Sequence, residues 1–133
     1  MGSVVVDASV VLGVLDPNDA HHGSATRAIR RARVSGDDII LPASALAEVL
    51  VGASRLGAGA VRTTEAFVDT IVDQVHSIDR SVARSAAVYR SAHKALRLPD
   101  AFVLAVGATL NADTVLTADK RWGKADPRVR VIG

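Results

Sequence analysis

Hydrophobic residues fall along this chain in two alternating patterns: short solid runs, and longer stretches with apolar positions three and four apart. Val4-Val5-Val6 is the first solid run, β-branched and without polar alternation, which suits a central strand buried on both faces and stopped by Asp7. Ala8 to Leu15 reads as a short helix, and Asp16-Pro17-Asn18-Asp19 as a turn. From about His22 to Val34, Ala25, Ala28, Ile29 and Ala32 share one helical face, with Arg27, Arg30 and Arg31 on another. Ser35-Gly36-Asp37 breaks this helix before a second buried strand, Ile39-Ile40-Leu41, stopped by Pro42. The pattern then predicts helices over Ser44–Arg55 and Val61–Asp73, separated by Gly57 and Gly59, and a third strand over Val75–Ile78. Asp79 stands as an N-cap for a long helix whose core stripe is Val82, Tyr89, Ala92 and Leu96, ending near Arg97. Leu98-Pro99 restarts a helix made largely buried by the run from Phe102 to Leu110. Thr114–Thr117 is the fourth strand, Lys120 to Gly123 a turn, and Val129–Ile132 an edge strand.

Strands separated by helices imply parallel pairing through right-handed crossovers. The expected fold is therefore α/β, a three-layer α/β/α sandwich around a roughly five-stranded, mainly parallel sheet. With 133 residues and neither repeats nor linkers, one domain over 1–133 is expected. The longest stretch without a formal charge, Ala101 to Ala112, is well short of the roughly 20 residues that span a bilayer. No export signal is evident, so the expectation is a cytoplasmic protein with no membrane association.

Composition narrows the chemistry. The chain has no cysteine, which excludes disulfides, zinc fingers, iron–sulfur clusters and thiol nucleophiles. Its acids are 12 Asp to 2 Glu and its bases 13 Arg to 3 Lys, so any metal site must be built from oxygen or histidine. The arginine excess suits phosphate-bearing partners but follows equally from genomic base composition, and it decides nothing alone. Four aromatics, Phe67, Tyr89, Phe102 and Trp122, are too few for base-stacking platforms, which weakens passive RNA binding.

In open parallel sheets, ligands bind beyond the carboxyl ends of the strands, where strand order reverses. Asp7 directly follows the first strand and Asp119 lies two residues past the fourth. Glu48 sits early on the helix after the second strand, and Asp100 opens the helix that begins at Pro99. Each has an ordinary structural role open to it: Asp7, Asp100 and Asp119 as caps or dipole partners, Glu48 paired with an arginine. Glu48 lies among Ala45, Leu46, Ala47, Val49, Leu50 and Val51, so burial among apolar neighbours is expected, which demands a partner or a metal. Four anions in one crevice repel each other. A divalent cation relieves that repulsion, and oxygen ligation selects Mg²⁺ or Mn²⁺ over zinc. One or two such ions can activate water and stabilise a leaving oxygen in phosphodiester cleavage.

These four segments resemble the motifs of PIN-domain proteins, specifically the VapC-type toxin endoribonucleases of bacterial toxin–antitoxin pairs. Val4-Val5-Val6-Asp7-Ala8-Ser9 resembles the first motif, Leu41 to Val49 the second with Glu48, Leu98-Pro99-Asp100-Ala101-Phe102 the third, and Val115 to Trp122 the fourth with Asp119. The resemblance spans nearly the whole chain. It implies Asp7, Asp100 and Asp119 as metal ligands, with Glu48 completing the catalytic acids, Ser9 and Thr117 as supporting hydroxyls, and Trp122 as an apolar anchor. It further implies an RNA substrate, a cognate antitoxin and a homodimer. The alternative from another class is a non-catalytic PIN-like module that binds an antitoxin or RNA. A phosphoacceptor receiver domain would want an acidic pair after the first strand, where this chain has Asp7 followed by Ala8 and Ser9.

Arg90, His93, Lys94 and Arg97 fall within one sector of the predicted long helix just before Asp100, either as a basic stripe leading RNA to the acids or as a solvated face. His21, His22 and His76 lack a second histidine at metal-ligand spacing, and surface or packing roles are expected for them. Asp113 and Asp126 are expected away from the acids.

Overall fold

The computed structural model describes residues 2–133. Its elements run β1 (Ser3–Val6), α1 (Ala8–Leu15), α2 (His22–Val34), β2 (Asp38–Pro42), α3 (Ala43–Leu56), α4 (Ala58–Ile71), β3 (Gln74–His76), α5 (Arg80–Ala92), α6 (Leu98–Thr109), β4 (Thr114–Thr117), a 3₁₀ turn (Lys120–Trp122) and β5 (Val129–Val131). The five strands form one sheet in the order β3-β2-β1-β4-β5, and every neighbouring pair is parallel. Val4 pairs with Ile39 on one side and Thr114 on the other, which puts the apolar run of β1 at the centre. The crossovers from β1 to β2 and from β2 to β3 step one way across the sheet, and the crossover from β3 to β4 steps back. Right-handed connections then lay α1–α4 on one face and α5–α6 on the other, the expected three layers. Among the described residues, no helix is long and apolar enough to cross a membrane.

The core explains why the strands read as solid apolar runs. Val5, Val6, Ile39, Leu41 and Val115 are all fully buried, because helices cover both faces of the central strands. At the β3 edge the burial stops, and Val75 is exposed. β3 accordingly starts one residue earlier than expected and ends at His76 rather than Ile78. α4 also begins earlier, at Ala58: Gly57, with φ of 123°, alone separates it from α3, and Gly59 is helical.

A larger difference concerns α5, which ends at Ala92 instead of continuing to Arg97. Its buried positions are Val82 and Ala86, with Tyr89 half-buried, whereas Ala92 and Ala95 are exposed. No apolar face remains to hold another turn of helix. Leu96 reaches the core from the connecting loop, where the Leu96 amide donates to the His93 carbonyl.

At Gly107, α6 packs closely against β4. A Cβ there would lie 2.6 Å from Val115 Cγ2, a buried, β-branched side chain with little freedom to yield. Overpacking should outweigh the better helix propensity of alanine, so Gly107→Ala is expected to destabilise the protein by about 1–2 kcal/mol. Equal or higher stability on denaturant unfolding would show that α6 can move off β4.

Candidate active site

β1 and β4 are neighbours although β1 leads to β2, so the sheet's order reverses between them. Asp7 stands at that point, and its amide donates to the Leu116 carbonyl at 2.9 Å. The Asp7 carbonyl accepts from Val10 to start α1, but the carboxylate caps nothing. Instead, Oδ2 accepts from Ser9 Oγ at 2.7 Å and from Thr117 Oγ1 at 3.1 Å. Both hydroxyls are themselves fixed: Ser9 Oγ accepts from the Ala118 amide and Thr117 Oγ1 from the Asp119 amide, each at 3.0 Å. With an amide donating to each oxygen, each hydroxyl turns its own proton toward Asp7. The end of β1 is thus tied to the segment after β4, and the plane of the Asp7 carboxylate is set.

Asp100 is buried beside it in the first turn of α6, where Oδ2 accepts from the Arg97 amide at 3.0 Å and Arg97 Nε lies 3.8 Å away. Asp100 therefore does carry the ordinary helix-start role, while its charge also bears on its neighbours. Burial raises the Asp7 carboxyl above the ordinary carboxylate range; the Ser9 and Thr117 hydrogen bonds oppose this, and the charge of Asp100 adds to it. Glu48 is raised too, by partial burial first and then by Asp7 and Asp100. Asp7, Glu48 and Asp100 thus form one electrostatic cluster.

The structure corrects the expected burial of Glu48: the residue is exposed overall, and only its carboxyl is partly shielded from water. α3 buries Ala45 and Val49 but leaves Ala47, Glu48 and Val51 toward solvent, because its apolar circumference exceeds what the sheet covers. The basic stripe is corrected as well. With α5 ended at Ala92, Arg90 lies on its last turn, His93 caps it, Lys94 sits in the following turn and Arg97 caps α6, so the four share no helical sector.

Asp119 has a partner of its own. Its Oδ1 accepts from the Arg121 amide at 2.9 Å, and Arg121 Nε bridges both oxygens, at 3.0 Å to Oδ1 and 3.1 Å to Oδ2, with Nη2 also on Oδ2. This guanidinium pulls the Asp119 carboxyl below its ordinary range. Arg121 was missed in the sequence; the available signal was an Asx residue followed two positions later by arginine in a turn. Among the described residues, no three His, Cys, Asp or Glu side chains stand close enough to hold one metal ion. The donor chemistry still fits a hard divalent cation: a buried, oriented carboxylate whose charge is unfavourable as it stands, with further carboxylates around it.

Asp113 and Asp126 do lie elsewhere. Asp113 accepts from the Ser3 amide, and buried Asp126 accepts from Tyr89 Oη at 2.5 Å and pairs with Arg128. Burial, then the hydrogen bond and charge of Asp126, push the Tyr89 hydroxyl up to about 12, with the charge of Arg128 opposing them. A groove of about 540 Å³, lined by Arg27, Arg31, Arg130, Val131 and others, contains none of the four acids.

The sequence from 4 to 126 matches the PIN domain. The chain belongs to the PIN domain family. No curated protein matches the sequence closely enough to count as a relative. Solved structures similar to this PIN domain include VapC20 of Mycobacterium tuberculosis, a toxin that cleaves the sarcin–ricin loop, at 22% identity and TM-score 0.67 over 85% of this chain and 87% of that one. A toxin–antitoxin complex from Klebsiella pneumoniae aligns at 20% identity and TM-score 0.77 over 97% of both chains. FitAcB from Neisseria gonorrhoeae aligns at 20% identity and TM-score 0.74 over 95% of both.

The raised acids of this PIN domain give a pH dependence of defined sign. A carboxyl whose folded pKa exceeds its unfolded value binds a proton more readily when folded, so stability rises as pH falls. Asp7 and Glu48 are raised from 3.8 and 4.5, whereas the contribution of Asp119, lowered from 3.8, is lost only in more acidic solution. In chelator, the melting temperature should therefore increase from pH 7 to about 5, and the increase should shrink in Asp7→Asn. A flat or falling wild-type profile over that range would mean that burial and the neighbouring acids do not raise Asp7 and Glu48.

Proposed function

We propose that this PIN domain is a divalent-metal-dependent endoribonuclease that hydrolyses RNA phosphodiesters as the toxin of a toxin–antitoxin pair. The observation that carries this reading is the Asp7 carboxylate, buried at the reversal of strand order, spared from capping and held by two hydroxyls that are each fixed in turn by a backbone amide. Asp7, Asp100 and Asp119 are the residues that would hold Mg²⁺ or Mn²⁺. When bound, such an ion lowers the pKa of water and stabilises the developing charge on the leaving oxygen. Glu48, exposed at the rim and with its proton affinity raised, accepts the proton of the attacking water. Ser9 and Thr117 keep Asp7 in its orientation throughout, and Arg97 supplies positive charge beside the acids for the incoming phosphate. A toxin–antitoxin complex of the same fold supports a cognate antitoxin as partner; a homodimer and a cytoplasmic setting belong to the same proposal.

One observation favours the alternative, a PIN-like module that binds an antitoxin or RNA without cutting: among the described residues no three acids are gathered for one ion, and Arg121 occupies Asp119. Incubating the purified protein with single-stranded and hairpin RNAs separates the two. Products that require Mn²⁺ or Mg²⁺ and vanish with chelator are expected; binding without any metal-dependent product would establish the alternative.

A further inference from the structure

Arg121 is the side chain at this site that the function above leaves unused. Its guanidinium makes a two-pronged contact with Asp119 while remaining about half exposed, at 53%. Arg97, by comparison, reaches Asp100 through a single contact at 3.8 Å. The Arg121 amide also donates to Asp119 Oδ1, so the backbone shapes the turn whatever the side chain does. The side-chain fork is thus an addition to the turn rather than its support. It occupies the carboxylate oxygens through which Asp119 would bind a metal.

We infer that Arg121 is an internal stand-in for the metal at Asp119, displaced when the ion binds and then free to grip the phosphate of the RNA. This rests on the reading of the site as a metal-dependent nuclease. A carboxylate whose two oxygens face a guanidinium cannot offer the same lone pairs to a cation, so the two cations exclude each other. Once displaced, the guanidinium remains tethered two residues from Asp119 and within reach of the charge of Asp100. There its planar pair of donors matches two phosphate oxygens as well as it matched a carboxylate. The same residue then balances the acids before the metal arrives and holds substrate charge afterwards.

Calorimetric titration with Mn²⁺ alone, with no RNA and no turnover, tests the first half. Arg121→Gln should bind Mn²⁺ about fivefold more tightly than wild type, the upper end for an exposed ion pair. Arg121→Lys, which keeps the charge but loses the fork, should fall between. Asp7→Asn should abolish binding in every background. The second half is read by the affinity for a short phosphorothioate RNA in Mn²⁺. Arg121→Gln should weaken it and lower the slope of log affinity against log salt by about one. If Arg121→Gln binds Mn²⁺ no more tightly than wild type while Asp7→Asn still removes binding, the stand-in role is wrong and the metal site survives. If Arg121→Gln leaves RNA affinity and its salt slope unchanged, the phosphate role is wrong. If wild type shows no Mn²⁺ binding that Asp7→Asn removes, the metal-dependent function fails and this inference falls with it.

Discussion

Asp7→Asn is expected to lower metal-dependent RNA cleavage by about a thousandfold or more while leaving the protein folded. The size follows from what the carboxylate would contribute: a full negative charge at the point where a cation must stabilise developing charge, an effect of several kcal/mol in a partly dry site. Folding is spared for a geometric reason. The amide oxygen of asparagine can take the position of Oδ2 and accept from Ser9 and Thr117 as the acid does, so the ties from β1 to the segment after β4 remain. The substitution also removes a charge that burial and Asp100 make unfavourable, and the metal-free variant should melt no lower than wild type at neutral pH. Initial rates on one cleavable RNA at saturating Mn²⁺, together with melting curves in chelator, give both quantities. A variant that retains more than about a tenth of the wild-type rate would remove Asp7 from the metal site, since so small a change is what the loss of a supporting hydrogen bond produces. Ser9→Ala and Thr117→Val offer that comparison directly, because each removes one donor to Oδ2 and leaves the acid.

The parts of this site that were legible in the sequence are those fixed by strand ends. Asp7 stops a solid β-branched run and Asp119 closely follows another, so their edge of the sheet follows from the alternation of strands and helices alone. Asp79 is similar, since an Asx residue before a periodic stretch is a cap, and its carboxylate does accept from the Val82 amide. The parts that were not legible depend on how much of a helix the sheet covers. α3 is apolar around Glu48, and nothing in its pattern says that the face carrying Glu48 meets solvent. α5 carries Ala92 and Leu96 at helical spacing, yet the chain turns at His93 and delivers Leu96 to the core from a loop. The Tyr89–Asp126–Arg128 group joins residues 37 positions apart, a distance no local pattern spans. Arg121 is the most consequential omission: its pairing with Asp119 exists only because a 3₁₀ turn brings positions two apart onto one side.

Removing the anchor of that turn should cost more stability than any other change considered. Trp122 is fully buried, the largest such side chain in the protein, and it lies in the turn that presents Asp119 and Arg121. Its amide donates to the Asp119 carbonyl and its carbonyl accepts from Ala125, so indole packing and turn geometry are coupled. Trp122→Ala empties a large volume that rigid neighbours cannot fill, a loss of about 3–5 kcal/mol. Against the 5–15 kcal/mol typical of a whole domain, this should lower the melting temperature on the order of 15 °C. Trp122 is the chain's only tryptophan, so melting must be followed by circular dichroism rather than fluorescence. Trp122→Phe is the informative companion. Trp122 Nε1 is buried and meets no hydrogen-bond partner among the described residues, so phenylalanine discards an unpaired donor while retaining much of the ring, and the loss should shrink to about 1–2 kcal/mol. If Trp122→Ala melts within about 3 °C of wild type, the backbone bonds alone hold the turn, and the position of Asp119 does not depend on the core beneath it.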